Sequence, residues 1–202
     1  MRISPVVFSL FLLGTVATTG PAAAQVRASL RAGVTWSSTL LDDEIVNPIK
    51  LETGLAPTLV AGASLPVGLK YRLGLEARLT TSSLTAKENG QETDLGGLRT
   101  ASLQLVGEGP AMVRRVRWRA GVGFLKYLPA EKTGVFADGG PARLMGSFSA
   151  EYHREFRPGW EGTAGLDYAY HRFTTEALKA RGFSQTQDVH RVSLSVGVSR
   201  SF

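Results

Sequence analysis

The sequence predicts an all-β fold, a transmembrane antiparallel up-and-down β-barrel of about eight strands. Three observations carry this. Apolar and polar residues alternate with a period of two in stretch after stretch, the segments between those stretches are long and short by turns, and the chain opens on an export leader.

The leader comes first. Met1-Arg2 supplies a positive charge, Val6 to Val16 is mostly apolar, and Ala22-Ala23-Ala24 offers small residues for cleavage before Gln25. That is the pattern of a secretory signal peptide over residues 1–24, leaving 25–202 as one mature barrel domain. An apolar run of about 11 residues is too short to cross roughly 30 Å of hydrocarbon as a helix. No later segment is apolar for long enough to do so.

The strands follow in order. Val26 to Trp36 sets Val26, Ala28, Leu30, Ala32, Val34 and Trp36 against Arg27, Ser29, Arg31, Gly33 and Thr35. Leu55 to Leu65 alternates more weakly, and Lys70 to Thr80 sets Tyr71, Leu73, Leu75, Ala77 and Leu79 against Arg72, Gly74, Glu76, Arg78 and Thr80. Arg99 to Leu105 opposes Ala101, Leu103 and Leu105 to Thr100, Ser102 and Gln104. Arg114 to Phe124 places Val116, Trp118, Ala120, Val122 and Phe124 opposite Arg115, Arg117, Arg119, Gly121 and Gly123. Arg143 to His153 and Trp160 to His171 repeat the pattern, the latter with Leu166, Tyr168 and Tyr170 facing away from Asp167 and His171. The last strand, Val189 to Phe202, carries Val192, Leu194, Val196, Val198 and Phe202 on one face, broken only by Arg200. A period of two over such lengths is a strand with one polar and one apolar face. Each stretch is near the roughly 9–11 residues a tilted membrane strand needs.

Connections alternate too. Ser37–Gly54, Thr81–Gly97, Leu125–Ala142 and Phe173–Asp188 are expected as long loops; Pro66–Gly68, Gly107–Pro110 and Arg157–Gly159 as short turns rich in Pro and Gly. Long loops on one side, short turns and both termini on the other, is the layout of an outer-membrane barrel. A soluble lipocalin-type barrel would hide its apolar face inside. Here the other face is Gly, Ser, Thr and Arg, where a soluble exterior would carry Lys and Glu. Aromatics also gather at both strand ends, with Tyr71, Tyr152, Trp160 and Phe202 at one and Trp36, Phe124 and Tyr170 at the other. Two such girdles suit two membrane–water interfaces, so the apolar face is expected to meet lipid.

From Val26 to Phe202 this pattern resembles the small OmpA/OmpX-like class of bacterial outer-membrane barrels. The strand closing on Phe202 resembles the C-terminal signal by which the barrel-assembly machinery recognises such proteins. The resemblance implies residence in the bacterial outer membrane and contact with its lipid and lipopolysaccharide. Two-domain members continue into a peptidoglycan-binding domain, whereas this sequence stops at the barrel, so cell-wall tethering is not expected.

Composition removes several chemistries. With no cysteine there is no zinc–thiolate centre, iron–sulfur cluster or thiol nucleophile. The net charge of +6 is spread singly along strands in an exported chain, so nucleic acid is not an expected partner. No phosphate cradle, metal-ligand spacing or nucleophile elbow stands out, and no cofactor is expected.

What remains is the inward face. Arg27, Arg31, Arg72, Arg78, Arg115, Arg117, Arg119 and Arg191 share it with Glu76, Glu151, Glu161 and Asp167. Charges in a lumen this narrow have to pair or be bridged by water. A structural ion network of Arg115, Arg117, Arg119, Glu151, Glu161 and Asp167 is therefore expected to plug the barrel. An eight-stranded interior is just wide enough for side chains to fill. His153 and His171 face inward and His190 outward. The acidic stretches Asp42-Asp43-Glu44 and Glu88, Glu92, Asp94 belong to solvated loops that could bridge cations to lipopolysaccharide or meet a basic partner. The expected role is structural or surface-interacting through the long loops, whose partner the residues do not name. A minor porin-like channel for small solutes is the first alternative. A lipid-modifying enzyme is the second, disfavoured because His190 has no outward Ser or acid on its own strand.

Overall fold

A computed structural model describes residues 25–43, 49–88, 90–131, 134–180, 182 and 186–202. The leader expected at 1–24 and the acidic loop from Glu44 to Pro48 lie outside the described residues.

The strands are β1 (Arg27–Ser37), β2 (Leu41–Asp43), β3 (Ile49–Thr53), β4 (Ala56–Val67), β5 (Tyr71–Glu88), β6 (Gln91–Pro110), β7 (Val116–Pro129), β8 (Ala142–Arg157), β9 (Trp160–Phe173) and β10 (Gln187–Ser201). A 3-10 turn, Gly134–Phe136, and a short helix α1, Glu176–Ala180, sit in the loops. Eight of the strands form a closed antiparallel ring, in the order β5-β4-β1-β10-β9-β8-β7-β6 and back to β5. Closure is required in a bilayer, where a free edge would leave backbone N–H and C=O groups without partners. The seam runs from Arg27 opposite Ser201 to Ser37 opposite Arg191, and the Phe202 N–H extends it by donating to the Val26 carbonyl at 2.9 Å.

Glycine makes the seam possible. A Cβ on Gly33 would stand 2.0 Å from the Leu194 carbonyl oxygen, and one on Gly197 2.1 Å from that of Leu30. At both positions the partner backbone already occupies the space that a side chain needs, as tight curvature in a small barrel demands.

The faces divide as alternation predicts. Arg31, Thr35, Glu76, Glu151, Asp167 and Ser193 are buried, while Leu30, Leu75, Val122, Leu166, Leu194 and Val196 are exposed in a belt around the outside. Among the described residues no helix is long and apolar enough to cross a membrane.

Three expectations need correction. Gly107–Pro110 is not a turn: β6 runs through it, pairing Gly107 with Ala120 and Glu108 with Arg119, and the reversal falls at Ala111–Arg115. Gly109 makes room for a neighbour there, since a Cβ on it would strike the Trp118 ring at 2.7 Å. Arg115 consequently leaves the strand. It has φ of 67° in the turn and is exposed, its guanidinium reaching the Tyr152 hydroxyl at 3.5 Å and its carbonyl accepting the His153 N–H at 2.8 Å. Finally, Thr81–Gly97 is largely not loop. β5 and β6 continue as a hairpin from Thr81 opposite Arg99 to Glu88 opposite Gln91, with a register shift between Ser83 and Thr85. Threonine and serine were legible as polar loop formers, yet the alternation persists, with Leu84 buried on the inner side.

Candidate functional site

The lumen is layered from the short-turn mouth upward. At the mouth, Arg27 on β1 donates to Glu108 on β6 at 2.9 Å and lies 3.6 Å from Glu161 on β9. Arg117 on β7 meets the same two acids at 2.7 and 3.5 Å. His153 on β8 places Nδ1 3.0 Å from Glu161 and Nε2 3.4 Å from Glu151, tying this layer to the next.

The middle layer holds three arginines and three acids. Glu76 on β5 accepts from Arg31, from Arg119 at 2.5 Å and from Arg78 at 3.3 Å. Glu151 accepts from Arg31 at 2.8 Å and Arg119 at 3.1 Å, and Asp167 accepts from Arg78 at 3.1 Å. These groups come from β1, β5, β7, β8 and β9, so most of the bonds, those from Arg31 and those of Arg119 with Glu76 and Arg78 with Asp167, join strands that are not paired in the sheet. Across both layers five guanidiniums meet five carboxylates, a neutral set. Around them lies a cavity of about 30 Å³, bordered by Arg27, Glu108, Arg119, Glu151 and His153. That is room for about two waters.

Above comes a hydroxyl belt. Thr35 meets Thr58 at 2.6 Å and Ser193 at 2.8 Å, and Thr58 meets Thr80 at 3.0 Å. Tyr127 and His171 share a hydrogen bond of 2.5 Å, and Arg191 donates to Thr100 at 3.1 Å.

The long-loop end is closed by an apolar cap. Leu98, Leu125, Tyr127, Met145, Phe173 and Val189 point inward from the strand ends and pack against Leu40, Leu41, Leu51, Val135, Phe136 and Leu178 from the loop segments. Beyond the belt, Lys50 at 2.9 Å and Lys87 at 3.0 Å hold the Glu52 carboxyl below its ordinary range. Asp94 accepts the Gly96 N–H at 2.8 Å in a local turn, and no metal-sized cluster forms among the described residues.

The structure thus brings Arg117, Arg119, Glu151, Glu161 and Asp167 into the lumen, divided between two layers, and leaves Arg115 outside. Sequence reasoning missed Glu108, hidden within the presumed turn. His190 faces outward against the Tyr168 hydroxyl at 2.7 Å. Inside, Ser199 and His153 both bond to Glu161, at 3.4 and 3.0 Å. The acid sits between serine and histidine, whereas a charge-relay triad needs the histidine between serine and acid.

No protein-family model matches the chain, and no curated protein matches its sequence. Solved structures match its fold. The outer membrane protein OprG from Pseudomonas aeruginosa superposes with a TM-score of 0.57 at 11% identity, covering 89% of this chain and 96% of that one. The outer membrane protein AlkL, solved by solid-state NMR in DMPC bilayers, gives 0.56 at 14% identity over 94% and 95%. Neisserial surface protein A gives 0.53 at 10% identity over 88% and 97%. The chain has the fold of a small outer-membrane β-barrel.

Proposed function

We propose that this protein is an exported barrel of the bacterial outer membrane whose lumen is plugged and whose work is done by its loops. The role is structural or surface-interacting, with no catalysis. The observation carrying this is the neutral set of five arginines and five acids bonded across the lumen beneath an apolar cap. Opening a path would strip buried charges of their partners, which costs several kcal/mol for each. The outer belt fits outer-membrane lipid, and the polar loop ends beyond it fit lipopolysaccharide. Phe202, exposed beside the seam, serves as the signal to the barrel-assembly machinery.

Liposome swelling tests the plug. Vesicles carrying the folded protein should swell no faster in small sugars than empty vesicles. Fast, sugar-size-dependent swelling would replace this reading with the channel.

A further inference from the structure

Two cations at the short-turn mouth fall outside the lumen's neutral set. Arg72 on β5 stands directly opposite Glu108 on β6, yet that carboxyl is taken by Arg27 and Arg117. Arg72 turns instead to Ser64 and Gln25. Its Nε donates to the Ser64 hydroxyl at 3.0 Å, and its Nη2 donates to the Ser64 and Gln25 carbonyls at 2.9 and 2.6 Å. Among the described residues its Nη1 has no partner and no carboxylate pairs with it. Lys70, in the turn that precedes β5, is exposed, and its ammonium has no hydrogen-bond or ion-pair partner among the described residues.

Both line a cavity of about 460 Å³ at the mouth, with Arg27, Glu108 and Arg117 toward the lumen and Leu69 and Tyr71 toward the outside. Its size falls within the roughly 300–1,000 Å³ of small-molecule sites. Even with Glu161, which Arg27 and Arg117 share, four cations face two acids there. An anionic group therefore meets uncompensated positive charge. The outer edge indicates what else the ligand carries. Tyr71 and Leu73 are exposed on the apolar face, the Tyr71 ring lies 6.4 Å from that of Trp118, and Leu69 stands fully exposed at the turn tip. A soluble anion would leave that apolar edge bare. A molecule with an anionic head and apolar tails would cover it.

We propose that this mouth cavity binds the headgroup of an anionic phospholipid from the leaflet on the short-turn side. Lys70 and the Arg72 Nη1 hold its phosphate, and its acyl chains run along the outer wall over Tyr71, Leu73 and Trp118. Arg114, Arg115, Arg154 and Arg157 also lie at this end, with Glu155 to oppose them. They add an attractive field but line no part of the cavity. The site rests on the outer-membrane reading above and does not depend on whether the lumen conducts.

The test is native mass spectrometry of the mature barrel, refolded in detergent with equal amounts of phosphatidylglycerol and phosphatidylethanolamine of identical acyl chains. The wild type should retain one phosphatidylglycerol in preference. Lys70→Gln, a change at an exposed side chain, should lower that preference about fivefold, the effect of one cation at a lipid surface. Lys70→Gln/Arg72→Gln should abolish it. Arg157→Gln, at the end of β8 on the opposite wall, should leave it intact. Excess glycerol phosphate should not displace the lipid. Heat-modifiability in lipid vesicles reports the outer-membrane reading separately, so a barrel that folds there yet retains both lipids alike overturns this proposal alone. A loss from Arg157→Gln as large as that from Lys70→Gln would also overturn it, in favour of a diffuse charge effect. Displacement by glycerol phosphate would do the same, in favour of a soluble-anion site.

Discussion

Arg31 on β1 and Glu151 on β8 meet across the barrel at 2.8 Å, although β1 is bonded only to β4 and β10. The contact therefore ties together walls that the sheet holds apart. Glu76 does more, accepting from three guanidiniums. Removing either acid leaves buried positive charge, at a cost of about 3–5 kcal/mol. Glu76→Ala should lower the refolded, heat-modifiable fraction more than Glu151→Ala does. The double variant Arg119→Met/Glu151→Met should recover part of the loss. Wild-type folding of Glu76→Ala would contradict the network's structural role.

The face assignment can be checked one residue apart. Leu194 is exposed in the apolar belt, while Ser195 is buried 3.5 Å from Asp167. Leu194→Arg should cost about 2–4 kcal/mol if the residue sits at the bilayer midplane. Ser195→Thr should be mild. Refolding titrations into lipid vesicles would show the difference; equal penalties would mean that inside and outside are reversed.

At the seam, Gly197→Val would force a side chain against the Leu30 carbonyl, 2.1 Å from where its Cβ must lie. It should block closure and abolish heat-modifiability. Nearby, the Arg200 guanidinium sits 5.1 Å from the Trp160 ring and 4.7 Å from that of Phe202. This explains how one charge is tolerated on the apolar face, since it lies over two aromatic rings. Phe202→Asp should impair assembly into the outer membrane far more than substitutions in the loops. An unchanged yield of folded protein in the membrane would remove Phe202 from that role.

The strand faces were legible because alternation survives glycine and serine on the inner side, as in Arg27 to Thr35. The cap was not. Inward residues are charged or small through most of each strand, then become apolar at the loop end: Arg119 and Gly121 give way to Leu125 and Tyr127 on the same strand. On paper that change looks like the alternation failing, and the stretch from Leu125 onward passes for loop. Glu108 was lost to a Gly-Glu-Gly-Pro string whose composition says turn, although its second glycine, Gly109, accommodates Trp118. Which charges meet across the lumen was also hidden. It depends on the relative heights of strands that are not neighbours, and the stagger of the barrel sets those heights.

The cap should be separable from the barrel. Phe173 is fully buried among Tyr127 and Phe136, at ring distances of 5.1 and 5.9 Å. Phe173→Ala should cost about 3–5 kcal/mol of local packing. Brief proteolysis of the folded variant should nick the loops while the barrel still migrates as heat-modifiable. Loops as resistant as in wild type would show that the cluster does not hold them.

The plug is tested most directly by single-channel recording of the wild-type protein in planar bilayers. Arg27, Arg31, Arg78, Arg117 and Arg119 are all bonded to acids, and the cavity bordered by Arg27, Arg119 and Glu151 is only about 30 Å³, so conductance should be absent or rare and brief. If the arginines instead line a wet path, their positive field would favour anions. Steady anion-selective conductance would contradict the plugged lumen.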